Sequence, residues 1–157
     1  RVGYSGQIIN TYKFRTMHPY SEYLQQYVFE KGGGTIDGDG FYNDFRITAW
    51  GKIFRKLWID ELPMLMNWLQ GDLKIVGIRP LSAHKFSLYT EKMQKLRVTV
   101  KPGLVPPFYV DLPQNFEELQ KSEERYIERY NKNPIVTDLR YFFLAMWNIF
   151  IKHARSK

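Results

Sequence analysis

The stretch WIDELPMLMNWLQGDLKIVGIRP, Trp58 to Pro80, switches from a helical to a strand-like pattern within a few residues, and this constrains the fold more than any other feature. Leu62, Leu65, Met66 and Leu69 recur at i, i+3, i+4 and i+7, the spacing of a buried stripe on an amphipathic helix. Pro63 marks the helix start, because the N–H that proline lacks has no intrahelical partner in a first turn. Gly71 marks its end. LKIVG then reads as a short buried strand, since Ile75 and Val76 are β-branched and turn residues bound the run on both sides. Asp60 and Glu61 therefore sit at a helix N-terminus, which favours the ionised form of a carboxylate, and Arg79 lies just past the next strand.

The rest of the chain adds mostly helix. Strand-like residues run from Ile8 to Phe14, and a helical pattern starts near Ser21. A glycine-rich loop spans Gly32 to Gly40; its Asp37 and Asp39 resemble a calcium loop only superficially, because the other ligand positions are missing. Between Ile47 and Trp58, Ile47, Trp50, Ile53, Phe54, Leu57 and Trp58 share a helix face opposite Lys52, Arg55 and Lys56. Further helices are expected over Lys85–Arg97, with Phe86, Tyr89, Met93 and Leu96 inward, over Glu117–Tyr130, and over Thr137–Lys152. A proline-rich connection follows Lys101. The expected fold is α+β, mainly helical with a small sheet, in a single compact domain at a membrane surface.

Composition narrows the function classes. An apolar fraction of 44% over 157 residues is enough to build a core. The absence of cysteine excludes structural disulfides and thiolate metal sites, and His18, His84 and His153 lack metal-ligand spacing. A formal charge of +7 points to an anionic partner: nucleic acid, phosphorylated metabolite or anionic lipid. The best apolar run, Tyr141 to Ile151, covers about half of the ~20 residues that a spanning helix needs and reads as a core helix.

Two features admit two explanations each. Asp60 and Glu61 precede a helix, where an aspartate N-cap and a first-turn glutamate are each worth roughly 0.5–1 kcal/mol without any catalytic role. The aromatic-and-cationic helix ending at Trp58 fits either a membrane interface or an ordinary surface helix with a core-facing stripe.

The ordered blocks YKFRTM (Tyr12–Met17), DFRITAWGKIFRKLWIDELPMLMNWLQGDLKIVGIRPL (Asp44–Leu81) and KPG (Lys101–Gly103) resemble the signature of the bacterial sugar transferases, the monotopic polyprenyl-phosphate phosphoglycosyl transferases. That signature runs approximately K-F-R-[ST]-M, D-x-R-x-T-x-x-G-x-x-[LI]-R, L-D-E-L-P-Q-L-x-N, G-D-M-S-x-V-G-P-R-P and K-P-G. Phe54, Ile59, Met64 and Ile78 depart from it and leave the charged positions intact. GLVPPFYVDLPQNFEELQ stands where many members carry a G-x-x-G-W-A-Q-like loop. The family's N-terminal re-entrant membrane helix has no counterpart here, so 1–157 is expected to be the catalytic domain of a longer protein.

The resemblance implies transfer of a sugar-1-phosphate from a nucleoside diphosphate-sugar, usually a UDP-sugar, to a polyprenyl phosphate. Such a step initiates exopolysaccharide, capsule, O-antigen or glycoprotein synthesis at the cytoplasmic face of a bacterial inner membrane. By the same resemblance Asp60 is the nucleophile, and Asp60 and Glu61 hold Mg²⁺. Arg79 is the first candidate for gripping phosphate, since guanidinium binds it bidentately, with Lys13, Arg15, Arg46 and Arg55 as further candidates. An anionic membrane surface is an expected partner, and a homo-oligomer is left open. The alternatives are a noncatalytic membrane-associated domain or a nucleic-acid-binding basic domain. No nucleic acid is expected, because no RNP, KH or helix-turn-helix pattern occurs.

Overall fold

The computed structural model describes residues 1–24, 27 and 44–151. The glycine-rich run with Asp37 and Asp39, most of the helix expected after Ser21, and the basic end from Lys152 onward lie outside the described residues. The chain divides into two compact units, Tyr12–Leu65 and Arg1–Thr11 with Met66 onward. Helices dominate both, with one small sheet, as the sequence pattern implies.

In the larger unit, strand β1 (Lys74–Val76) pairs in parallel with β2 (Gly103–Val105), placing Lys74 opposite Gly103 and Val76 opposite Val105. Parallel neighbours need a crossover. Two short helices supply it, α3 (Ala83–Ser87) and α4 (Glu91–Arg97), where one helix over Lys85–Arg97 was expected. The break has a local cause. Ser82 accepts from the Lys85 N–H at 3.2 Å and Thr90 from the Met93 N–H at 3.4 Å, so each hydroxyl starts its own helix. The expected inward side chains are inward nonetheless: Tyr89 and Met93 are buried with Leu81, and Phe86 and Leu96 pack on them.

Strand β2 was not apparent in the sequence, because it lies in the proline-rich connection. Gly103 is there for close approach: a Cβ on it would stand 2.2 Å from the Gly77 nitrogen. Beyond it come α5 (Phe108–Asp111), α6 (Phe116–Lys132, capped by Asn115) and α7 (Pro134–Phe150). The core gathers Val76, Ile78, Val100, Tyr126, Ile127 and Tyr141. Helix α7 is only half a core helix. It buries Tyr141, Ala145, Asn148 and Ile149 while Val136, Leu139, Phe143, Trp147 and Phe150 lie exposed. No helix among the described residues is long and apolar enough to cross a membrane.

In the smaller unit, α1 (Ala49–Lys56) starts at Thr48, whose side chain accepts from the Gly51 N–H at 2.9 Å. No regular strand forms over Ile8–Phe14. Ile8 makes only an isolated bridge with Val2, and Ile8, Tyr12 and Phe14 are exposed, so no neighbouring ladder rewards their β propensity.

Helix α2 (Met64–Leu69) faces the other way from what its apolar spacing predicts. Leu62, Leu65, Met66 and Leu69, the expected buried stripe, are all exposed, and the buried residues are Met64 and Asn67. The Asn67 amide donates to the Asn10 carbonyl at 2.6 Å and its own carbonyl accepts from the Asp72 and Leu73 N–H groups. A polar anchor, rather than the leucine stripe, orients this short helix.

Candidate active site

The sequence blocks of the smaller unit meet one another physically. The extended segment around YKFRTM is held from two sides. On one side, the Thr16 carbonyl accepts from the Thr48 N–H at 3.0 Å and from its hydroxyl at 3.2 Å, and Met17 bridges Ile47. Gly51 leaves room for that carbonyl, since a Cβ there would stand 2.1 Å from the Thr16 oxygen. On the other side, the Phe14 N–H donates to the Asp60 carbonyl at 3.0 Å, and Lys13 Nζ reaches Glu61 Oε1 at 2.6 Å. The Phe14 ring meets Phe54 edge-on, 6.3 Å between centroids.

Asp60 and Glu61 do not begin an α-helix. They lie in a 3₁₀ turn, Ile59–Glu61, whose N-cap is Trp58 in the left-handed region at φ 56°, with no side-chain cap. For a non-glycine residue that conformation costs about 1–2 kcal/mol, and here it sets the direction in which the two carboxylates leave the chain. The capping explanation of Asp60 is thereby removed, and so is the expectation that a helix N-terminus favours its ionised form. The Asp60 carboxyl is instead pushed above the usual carboxylate range, first by burial and then by the negative charge of Glu61, against the opposing charges of Lys13 and Arg55. No side chain among the described residues hydrogen-bonds it.

The candidate cations differ in what already holds them. Arg55 Nε donates to Thr16 Oγ1 at 2.9 Å, and the Arg55 charge acts on Asp60. Lys13 is paired with Glu61. Arg15 is exposed and has no ion-pair partner among the described residues. Arg46 is buried with its guanidinium bound to both oxygens of Asp44, at 2.7 to 3.2 Å, and its NH1 donates to the Ser21 carbonyl at 3.3 Å. Burial opposes ionisation of Asp44, but the Arg46 hydrogen bonds more than offset it and hold that carboxyl below its ordinary range. Arg46 therefore braces the loop. Arg79 belongs to the larger unit, three residues past β1 and partly exposed.

A hard divalent cation fits the Asp60–Glu61 pair. The donors are carboxylate oxygens, and a cation would relieve both the burial of the Asp60 charge, the larger cause of its upward shift, and its repulsion by Glu61. Among the described residues no third acidic or histidine side chain joins them. A hard cation such as Mg²⁺ would take one or two protein carboxylates and draw its other ligands from water and substrate phosphate.

Thr16, Asp44, Thr48 and Gly51 are the residues that sequence reasoning passed over. The Thr48-x-x-Gly51 spacing was the available signal, since a threonine three residues before a helical N–H is an N-cap.

The smaller unit thus presents a buried carboxylate within reach of the charges of Lys13 and Arg55. The profile of the bacterial sugar transferases matches residues 1–152, and the chain belongs to that family. It is 33% identical over 149 residues, 93% of its length, to the galactosyl transferase CpsE of Streptococcus agalactiae, covering 32% of that protein. It is 31% identical over 160 residues to the UDP-glucose:undecaprenyl-phosphate glucose-1-phosphate transferase of Klebsiella pneumoniae, covering 96% of this chain and 31% of the relative. It is 35% identical over 108 residues to the undecaprenyl-phosphate galactose phosphotransferase of Salmonella typhimurium, covering 66% and 22%. The chain thus spans about a third or less of the length of these relatives.

Proposed function

We propose that this chain transfers a sugar-1-phosphate from a nucleoside diphosphate-sugar, of the UDP type, to undecaprenyl phosphate or a related polyprenyl phosphate, through a covalent phosphosugar on Asp60. The reading is carried by one observation: Asp60 is buried within reach of the charges of Arg55 and Lys13, with no side chain among the described residues hydrogen-bonded to it, while its neighbour Glu61 is engaged by Lys13. The names of two relatives support undecaprenyl phosphate as the acceptor and, in one of them, a UDP-sugar as the donor; the transfer would stand at the start of exopolysaccharide or capsule synthesis.

In the first step an Asp60 carboxylate oxygen bonds to the phosphorus next to the sugar. The bond from that phosphorus to the bridging oxygen breaks, and the nucleoside monophosphate leaves. In the second step a phosphate oxygen of the polyprenyl acceptor attacks the same phosphorus and Asp60 departs as carboxylate. Dividing the transfer in this way replaces one hard displacement by two easier ones. An anion attacking a diphosphate needs positive charge nearby, which Arg55, Lys13 and Arg15 supply from the same unit, while Arg79 is assigned to gripping phosphate by its place in the family signature. Mg²⁺ held by Asp60 and Glu61 would add Lewis-acid neutralisation of the phosphate oxygens.

The acceptor is a lipid, and the smaller unit offers a matching surface. Trp50, Ile53 and Leu57 form an exposed stripe on and just past α1, with Lys52 and Lys56 beside it, as on a helix lying in a membrane interface. A cytoplasmic-face location follows from the nucleotide-sugar donor.

The test is incubation of the chain with Mg²⁺ and a panel of UDP-sugars, without acceptor, followed by intact-protein mass spectrometry. A phosphosugar adduct on Asp60, discharged by undecaprenyl phosphate and absent from Asp60→Asn, is the expected result. An adduct mapping to Glu61, or persisting in Asp60→Asn, overturns the assignment.

A further inference from the structure

In the larger unit a buried guanidinium lies outside the candidate active site. Arg97, at the end of α4, is buried, and its NH1 is bound to the equally buried carboxylate of Glu123 on α6. Its planar group lies 4.7 Å over the Tyr89 ring. Its NH2 donates to the backbone carbonyl of Arg79 at 2.6 Å. The chain around Arg79 is therefore tied by three different segments: the Gly103 N–H donates to the Ile78 carbonyl at 2.9 Å, Arg97 holds the Arg79 carbonyl, and the Val2 N–H donates to the Leu81 carbonyl at 2.8 Å. Pro80 has no N–H, so this piece of chain cannot be secured by an ordinary strand ladder.

We propose that Arg97 is a positioning residue for Arg79: held rigid by Glu123 and Tyr89, it fixes the backbone from which the Arg79 side chain reaches phosphate. The proposal rests on the reading of Arg79 as a phosphate-gripping residue. A buried guanidinium would be a poor choice for stability alone, because desolvating an ion pair roughly cancels its Coulomb gain. It is a good choice for geometry, since a planar fork can bind a carboxylate and a carbonyl at once, in fixed directions. Lysine, with a single ammonium, can keep the Glu123 pair but not both contacts.

A double-mutant cycle separates positioning from general stabilisation. UMP release is measured as kcat/KM for the preferred UDP-sugar in the parent, Arg79→Met, Arg97→Lys and the double variant, with thermal unfolding of each. Arg97→Lys is expected to lower kcat/KM by about tenfold to a hundredfold, the scale of a misplaced binding group. In the Arg79→Met background the same change should cost less than about twofold, because nothing is left to position. Equal losses in both backgrounds would overturn the proposal and make Arg97 merely structural. If Arg79→Met by itself leaves kcat/KM unchanged, the reading of Arg79 falls and this proposal with it, an outcome visible in the single variant. Should Arg97→Lys fail to fold, Glu123→Gln, which keeps Arg97 and its shape but removes the anchoring charge, takes its place. It should show a smaller loss with the same disappearance in the Arg79→Met background, and an undiminished loss there overturns the proposal.

Discussion

Gly51 sets two physical effects against each other, and the structure decides their sign. It sits inside α1, where replacing glycine by alanine ordinarily stabilises a helix by about 1 kcal/mol. The new Cβ would, however, stand 2.1 Å from the Thr16 carbonyl oxygen and 2.8 Å from Thr48 Oγ1. To reach ordinary contact the Thr16 backbone must retreat by about 1 Å, and backbone has no rotamer by which to yield. That movement breaks or stretches two hydrogen bonds from Thr48, worth about 1 kcal/mol each, on top of about 1–3 kcal/mol for overpacking. The net expectation for Gly51→Ala is a loss of about 2–4 kcal/mol, which lowers Tm by roughly 5–10 °C in a chain of this size. Activity should fall further than stability does. The displaced segment carries Lys13 and Phe14, which touch Glu61 and Asp60, so nucleoside monophosphate release at a temperature where the variant is folded should drop by about tenfold or more. Differential scanning calorimetry with a parallel release assay measures both, and Lys52→Ala, an exposed change in the same helix, serves as the control. A Gly51→Ala chain with a higher Tm and unaltered turnover would show that the Thr16 contact does not govern this site.

Asp60→Asn should unfold at the same or a higher temperature than the parent near pH 7: a carboxyl whose folded pKa is raised loses stability as pH climbs from its unfolded to its folded value, and the amide carries no such loss. A clear drop in Tm at that pH, by calorimetry, would contradict the burial argument. The acid limb of kcat/KM should lie above the ordinary aspartate range; Glu61→Gln should move it down by removing a neighbouring negative charge, and Lys13→Met should move it up, the two shifts being opposite in sign across a pH series. Limbs that coincide in all three chains would count against Asp60 as the titrating group. Vesicle co-sedimentation at low salt should show binding to anionic but not neutral lipid, weakened by serine at Trp50, Ile53 and Leu57 together; equal binding by the triple variant would remove α1 from the membrane surface.

Element positions were legible in this chain where local chemistry is self-sufficient. Strand β1 could be read because Ile75 and Val76 stand between turn residues, and α6 because of its charged run, whose cap Asn115 the structure adds. Strand β2 could not, since Gly103 is present to let Gly77 approach and carries no strand signal of its own. The facing of the amphipathic helices was hardest to read. A stripe at i, i+3, i+4 and i+7 reports that a helix has two unlike faces, and leaves open which one is buried. In α2 and on much of α7 it is the apolar one that lies open, and in α1 Trp50 is 73% exposed. Of the candidate site, the sequence named the carboxylate pair together with Lys13 and Arg55, whose charges act on Asp60, and passed over Thr16, Thr48 and Gly51, which hold the segment in place. Periodicity has no means to distinguish Arg46, which is closed off by Asp44, from Arg55, which faces the charge of Asp60.

The raised Asp60 bears on how a carboxylate can attack a diphosphate at all. An ordinary aspartate at neutral pH is fully ionised but weakly basic, and water stabilises it so well that desolvation during attack would add to the barrier. Burial removes that water before the substrate arrives and makes the carboxylate more basic, at the cost of a smaller ionised fraction. Lys13 and Arg55 act against that loss, and Glu61, which adds to it, is itself drawn off by Lys13 at 2.6 Å. The site thus balances basicity against ionisation through three charges fixed on the extended segment, α1 and the 3₁₀ turn. This balance requires YKFRTM to stay strapped to Thr48 and Gly51: if Lys13 is displaced, the Glu61 charge acts on Asp60 without its counterweight and the carboxyl is pushed further upward.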